Sequence, residues 1–260
     1  MKKISLASSL IIAGIVATAS LTSAVSATTY TPLPSPAIGN TATTDSTVGF
    51  QSASPIDPVV PPLDPQAPDP TNPVAPPQGG SGPLSIDYVS NLNFGINNIT
   101  NTNATYYAKA EVLSAGPNAG KNSPDYIQVT DNTGSFKGWA LTVKQNDEFR
   151  LSGSAPSSTA VGDILTGAQL MLSKGQVNGI AGVPTSVNPT GTATINLSSS
   201  AQNVMTAATN QGMGTWIYAM GTGADYNGTT SPVSLSVPGT TMKKAGVYST
   251  TLTWTLQQTP

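Results

Sequence analysis

The chain has 260 residues, no cysteine and no histidine, and only 8% of its residues are charged. Without these two residue types neither a Ser-His-Asp triad nor a Cys-His pair can form, and zinc or copper would lack their usual ligands. The absence of these ligands leads us to expect no metal, and we expect no cofactor. The formal net charge is −2 and no basic block follows the first three residues, so we also expect no nucleic-acid partner.

The chain opens with the pattern of a secretory signal peptide. Met1-Lys2-Lys3 is a short positive segment, an apolar stretch follows to about Val16, and small residues continue to Ala27. The apolar run is shorter than the roughly 20 residues that a membrane-spanning helix needs. We therefore predict a signal peptide over residues 1–27, cleaved after Ala27, and a secreted, extracellular product that does not span a membrane.

Residues 28–83 differ from the rest of the chain in composition. Fourteen of the 22 prolines lie between Pro32 and Pro83, and long apolar side chains are sparse. Proline fixes φ and removes a backbone donor, so we predict a disordered, extended tether and no helix or sheet. A PxxP ligand for an SH3-like module is the other interpretation, but the irregular spacing of the prolines favours a spacer.

Residues 84–260 are predicted to form the folded domain. Runs rich in Thr and Val alternate with Gly, Asn, Pro and Ser clusters, which favours antiparallel sheets with one solvated face. One short helix is expected at Gln202–Ala208. The predicted strands are Leu84–Tyr88, Tyr106–Leu113, Tyr126–Thr130, Gly138–Gln145, Phe149–Leu151, Ala168–Leu172, Ala193–Leu197, Trp216–Met220, Val233–Val237 and Tyr248–Gln257. We expect an all-β fold, an antiparallel β-sandwich with immunoglobulin-like or Greek-key connections.

Two of the predicted strands carry the same tripeptide pattern. The last strand contains Trp254-Thr-Leu256, and a second copy occurs upstream as Trp139-Ala-Leu141. In both strands apolar and polar residues alternate with period two, which predicts one buried face. We therefore predict that both copies are core anchors that pack near each other, each Trp burying on the order of 200 Å². The other interpretation is that one or both indoles form a platform for sugar rings.

Neither of two charged pairs indicates a reactive site. Asp147-Glu148 is the only adjacent carboxylate pair, whereas a glycosidase needs two carboxylates roughly 5 to 10 Å apart across a cleft. We interpret the pair as a solvated turn, and we expect no catalytic residue and no enzymatic activity. Lys243-Lys244 fits contact with an anionic wall polymer, but two lysines before a glycine more often mark a solvated loop.

Several segments together resemble the WxL-domain surface proteins of Gram-positive bacteria. They are Leu84-Ser-Ile-Asp-Tyr-Val89, Leu92-Asn-Phe-Gly95, Tyr107-Ala-Lys-Ala110, Ile127-Gln-Val-Thr-Asp131, Gly138-Trp-Ala-Leu-Thr-Val-Lys-Gln145 and Ala245-Gly-Val-Tyr248 through Trp254-Thr-Leu256. The resemblance covers residues 84–260. It depends on two Trp-x-Leu copies behind a signal peptide and an Asp/Pro-rich tether.

The resemblance implies a wall-associated protein attached without a covalent bond, with peptidoglycan as the ligand. It places the attachment role on Trp139, Leu141, Trp254 and Leu256, either as ligand contacts or as supports of the fold. The residues after Gln257 contain no Leu-Pro-x-Thr-Gly sorting signal, which also leads us to expect non-covalent attachment.

The resemblance implies partner proteins as well. Members are said to assemble with other surface proteins of the same system, and some are said to contact host matrix proteins. The alternative function is therefore a subunit of a multi-protein surface complex that its partners hold at the wall.

Direct recognition of sugars by a sheet surface would need exposed aromatic side chains beside amide and hydroxyl groups. The candidates for such glycan contacts are Tyr106, Tyr107, Trp216, Tyr218 and Tyr226.

Overall fold

The computed structural model describes residue 48 and residues 82–113, 119–179 and 187–259. The predicted signal peptide and nearly all of the predicted tether lie outside these residues. The described strands are β1 (Leu84–Val89), β2 (Ala104–Tyr107), β3 (Glu111–Val112), β4 (Asn122–Ser123), β5 (Tyr126–Asp131), β6 (Trp139–Gln145), β7 (Arg150–Leu151), β8 (Gln169–Ser173), β9 (Gly175–Gly179), β10 (Thr190–Gly191), β11 (Thr194–Asn196), β12 (Gln202–Ala207), β13 (Gly214–Met220), β14 (Val233–Val237), β15 (Tyr248–Ser249) and β16 (Leu252–Gln258). A 3₁₀ turn spans Gly223–Tyr226.

The strands form antiparallel sheets, which confirms the predicted fold class. Three sheets have four strands each, in the orders β1-β5-β13-β9, β10-β12-β6-β16 and β11-β8-β14-β2. Two further pairs, β15-β7 and β3-β4, have two strands each. Neighbours in these sheets are often far apart in sequence, so most of the ladder hydrogen bonds are long-range.

The main apolar core draws residues from all three four-stranded sheets. Its fully or nearly fully buried members include Ile127, Val129, Trp139, Leu141, Val143, Leu170, Leu172, Met205, Trp216, Tyr218 and Val233. A second, smaller cluster of Tyr88, Tyr126, Ile217 and Ala219 lies on the other face of β5 and β13. All six residues of β5 are therefore buried, so both of its faces are covered.

The helix expected at Gln202–Ala208 was wrong, because this segment is strand β12. It pairs with β6 on one side and with β10 on the other. Its register shifts between Asn203 and Met205, and the adjacent residues Val204 and Met205 are both fully buried. The irregularity breaks the period-two pattern that would have indicated a strand.

Two predicted strands are interrupted in the structure. Tyr106–Leu113 is divided into β2 and β3, and Tyr248–Gln257 is divided into β15 and β16. β15 pairs with β7, whereas β16 pairs with β6, so the chain changes sheet between Ser249 and Leu252. Alternation continues across that change, which is why the sequence indicates a single strand.

Strand β9 was missed because it begins and ends with glycine. A Cβ atom on Gly175 would lie 2.1 Å from the Tyr218 hydroxyl oxygen and 2.4 Å from the Thr192 carbonyl oxygen. Only glycine allows the backbone of β9 to pass this close to Tyr218. β4 and β10, with two residues each, were also missed.

Candidate functional site

The two Trp-x-Leu copies lie on adjacent antiparallel strands. β6 and β16 pair in a continuous register in which Leu141 is directly opposite Leu256. Trp254 faces Val143, and Trp139 faces Gln258. Directly opposed residues project on the same side of a sheet, so both motifs point toward the main core. We call this side of β6 and β16 the motif face.

The first copy is completely enclosed by the fold. Trp139 and Leu141 are each 0% exposed. The indole Nε1–H of Trp139 donates to the carbonyl oxygen of Gly212 at 3.0 Å, so the polar atom of the ring is also satisfied inside the protein. Trp139 and Leu141 therefore act as core anchors, as expected, and neither is accessible to a ligand.

The loop that encloses Trp139 requires glycine at position 212. This residue has φ +79°, and a Cβ atom there would lie 2.4 Å from the Cβ of Ala207 and 2.5 Å from Nε1 of Trp139. Left-handed backbone and close contact both exclude a side chain. In the 208–213 loop it is therefore the backbone at Gly212, and not a side chain, that packs against the Trp139 ring.

The second copy differs from the first in its exposure. Trp254 and Leu256 are half-buried and pack at the margin of the main core together with Leu252. Trp254 therefore packs against the core, as expected, but the core does not enclose it. The reason is its place in the sheet, because β16 is the outermost strand and β6 is its only hydrogen-bonded neighbour among the described strands. Part of the second indole is accessible, while the first indole is not.

Three of the five proposed glycan contacts are buried. Trp216 is 1% exposed, Tyr218 is 0% exposed and Tyr226 is 7% exposed. Their polar atoms donate hydrogen bonds inside the protein: the Trp216 indole to the Met213 carbonyl, the Tyr218 hydroxyl to the Thr192 carbonyl and the Tyr226 hydroxyl to the Asp125 carboxyl group. They lack the exposure that a surface contact needs, so the prediction was wrong on this point for these three residues.

The other two, Tyr106 and Tyr107, are half-buried on β2. β2 belongs to a different four-stranded sheet from the motif face. They keep the exposed surface that a glycan contact requires.

The carboxylate pair Asp147-Glu148 lies exposed in the turn after β6. The Arg150 guanidinium donates to the Asp147 carboxylate at 2.8 Å, and this hydrogen bond holds the pKa of Asp147 below its usual value. A general acid requires a shift in the opposite direction. The geometry is that of a solvated turn, as expected.

Both lysines of the Lys243-Lys244 pair are engaged by the protein. The Lys243 ammonium donates to the carbonyl oxygens of Thr100, Pro238 and Thr241 at 2.9 to 3.3 Å. The Lys244 ammonium lies 2.6 Å from a carboxylate oxygen of Asp163, and its hydrogen bond lowers the pKa of Asp163. These contacts tie loops together and leave the pair with less capacity for an anionic polymer.

One cluster that the sequence did not indicate surrounds Asp125, just before β5. Asp125 is 0% exposed, and burial raises its pKa to about 8, with the charge of Glu111 adding to the shift. The Tyr226 hydroxyl donates to one carboxylate oxygen at 3.2 Å, and the other oxygen has no hydrogen-bond partner among the described residues. At neutral pH the carboxyl group is therefore protonated. Asp125 and Glu111 are 14 positions apart, so no local motif marks them.

Two kinds of feature are absent from the described ranges. No group of three or more Asp or Glu residues there is close enough to hold a metal ion. No described helix has the length and hydropathy to cross a membrane.

The structure thus defines an antiparallel β protein that pairs its two Trp-x-Leu strands side by side, one buried and one at the margin. Comparison with known families matches residues 37–260 to the WxL domain, described as a surface, cell wall-binding domain. The match covers most of the chain, so this protein belongs to the WxL family, as the resemblance implied. It begins within the predicted tether. No curated protein and no solved structure matches the chain.

Proposed function

We propose that this protein attaches without a covalent bond to the cell wall by binding peptidoglycan, and that Trp254 is the contacting indole while Trp139 supports the fold. Membership of a cell wall-binding family supports wall attachment. The observation that carries the assignment within the motif is the difference in exposure, since Trp139 is enclosed and Trp254 is half-buried. A secreted, wall-associated location follows from the predicted signal peptide and from this function.

The surface around Trp254 suits a largely uncharged sugar polymer. No charged residue occurs in β16. The exposed Gln258 lies on the same face of the strand as Trp254, whereas Thr253 and Gln257 lie on the opposite face. An indole offers a flat apolar surface to the C–H face of a sugar ring, and an amide group on the same face, such as that of Gln258, can supply hydrogen bonds. Tyr106 and Tyr107 are retained as additional contacts on a separate sheet. Binding of this kind requires no catalytic step.

Sedimentation with washed, protein-free cell-wall sacculi tests the proposal on the mature chain, residues 28–260. We expect the parent to sediment with the sacculi. Trp254→Leu, which keeps an apolar side chain and removes the aromatic face, should lower the affinity by about 10-fold or more, the worth of one or two kcal/mol. Trp254→Phe keeps a ring and should retain most of the binding.

Trp139→Phe is the matched control in the first copy. Because Trp139 is enclosed, this variant should bind sacculi like the parent at temperatures where it remains folded. Equal binding by the parent and Trp254→Leu would move the contact away from Trp254. Recovery of the parent entirely in the supernatant would contradict direct glycan binding and favour attachment through partner proteins.

A further inference from the structure

Strand β16 ends its sheet with an unpaired edge, although β1 of another sheet approaches it without pairing. Within the described residues it pairs with β6 alone, and no other backbone group bonds to its outer side. Proteins normally protect such an edge with charged residues, proline, a bulge or short length, because an exposed strand is a template for another strand. β16 has seven residues, no charge, no proline and no shift in register.

The other edge strands of the four-stranded sheets are shorter than β16 or irregular. β1 contains a register shift between Ile86 and Tyr88 and carries Asp87. β9 has glycine at both ends, and β2, β10 and β11 have four, two and three residues. β16 is the exception among these six edge strands.

The hydrogen bonds at the two ends of β16 identify its free backbone groups. Asn146 N–H donates to the Thr251 carbonyl, and Thr259 N–H donates to the Gly138 carbonyl, both in the register of the β6 ladder. Bonded and non-bonded pairs alternate in an antiparallel ladder. The odd residues of β16 therefore bond to β6. The N–H and C=O groups that point outward belong to Leu252, Trp254, Leu256 and Gln258.

The sequence at this edge is self-complementary. Leu252-Thr-Trp-Thr-Leu256 reads the same in both directions about Trp254. When two such edges pair antiparallel about a two-fold axis at Trp254, each Leu252 faces Leu256 of the other copy and the two Trp254 residues face each other. Thr253 faces Thr255. Like-with-like apolar and Thr–Thr pairs of this kind stabilise antiparallel strands, and no charge opposes them.

We propose that the outer edge of β16 pairs with β16 of a second copy of this chain, giving a two-fold dimer with a continuous eight-stranded sheet. A two-fold axis makes such an interface closed and isologous. The inference of a dimer does not depend on which ligand the protein binds. If the proposed function also holds, it sets two Trp254 indoles side by side and gives the wall two attachment sites per particle.

The first test measures the mass of the mature chain in solution over a range of concentrations, by sedimentation or light scattering. Leu256→Pro removes one outward N–H and places a ring in the interface, whereas Leu256→Ala truncates the same side chain and keeps the N–H. The dimer should weaken at least 10-fold more in the proline variant than in the alanine variant. Leu252→Pro and Leu252→Ala form a second pair should the first proline variant fail to fold.

The second test checks the register through side chains on the opposite side of β16. Thr253→Lys with Thr255→Lys sets lysine against lysine of the other copy at two places. Thr253→Lys with Thr255→Glu sets lysine against glutamate at the same two places. The dissociation constants of these double variants should differ by about 10-fold or more, with the Lys/Glu variant the tighter.

Any one of three results would overturn the proposal: a chain that remains a monomer at all concentrations, a dimer that persists in both proline variants, or equal association of the two charge variants. Binding to sacculi is measured separately, so a monomer that still sediments with walls would leave the proposed function standing while this inference fails.

Discussion

At the scale of single residues, the same tripeptide occupies two different environments. Trp139 is enclosed on a central strand and donates its indole N–H to Gly212. Trp254 is half-buried on the strand at the edge. The family motif thus contains one residue that can only support the fold and one that can also meet a ligand.

The free energy of unfolding should depend more on the enclosed Trp139 than on the half-buried Trp254. Trp139→Ala should lower the free energy of unfolding by about 3 to 5 kcal/mol, the usual cost of truncating an enclosed aromatic. Trp254→Ala should lower it by about 1 to 2 kcal/mol, because only part of its area is removed from water. Urea denaturation of both variants beside the parent measures the two values. Equal losses would show that the two indoles support the fold to the same extent.

At the scale of elements, the loop between β12 and β13 acts as the wall of the Trp139 site. Its backbone at Gly212 approaches the indole so closely that no side chain fits. The same relation of glycine backbone to aromatic ring positions β9 against Tyr218. Close approach of this kind is decided by strands distant in sequence.

Gly212→Ala tests the role of the loop. We expect a loss of more than about 2 kcal/mol, since the positive φ alone costs roughly 1 to 2 kcal/mol and the new Cβ also displaces Trp139 or Ala207. The matched control is Gly153→Ala, which has φ +88° and nothing within 4 Å of the added Cβ. Chemical denaturation compares the two. A loss no larger than that of the control would contradict the close packing.

At the scale of the whole molecule, the buried carboxyl of Asp125 links stability to pH. Its pKa is about 8 in the folded protein against an ordinary value of 3.8, because burial and Glu111 disfavour the charged form. Between these two values the unfolded chain is ionised while the folded one retains the proton. The contribution of Asp125 to the free energy of unfolding therefore falls as pH rises from about 4 to about 8.

Asp125→Asn should remove this contribution. The variant should lose less stability than the parent between pH 5 and 8, and the gap should stop widening above about pH 8. Denaturation at several pH values measures the difference between the two proteins, which cancels the titration of unrelated groups such as Asp163. Parallel profiles would show that Asp125 is ionised in the folded state.

Much of the fold follows from local pattern. Period-two alternation at Leu84–Tyr88 and Val233–Val237, and an apolar run at Trp216–Met220, predicted strands that the structure contains, and frequent turn residues predicted antiparallel sheets. The pattern failed at β12, where a shifted register places two buried residues in succession. It also failed at β9, where packing against rings requires glycine.

The sequence by itself determined that this is an all-β protein with two Trp-x-Leu strands, each with one apolar face, because alternation is a local property of the chain. Only the tertiary structure decided which strands are neighbours. It placed β6 between two strands and β16 at the edge of the same sheet. Exposure depends on those neighbours and not on the tripeptide, and for that reason the two copies of one motif differ in what they can contact.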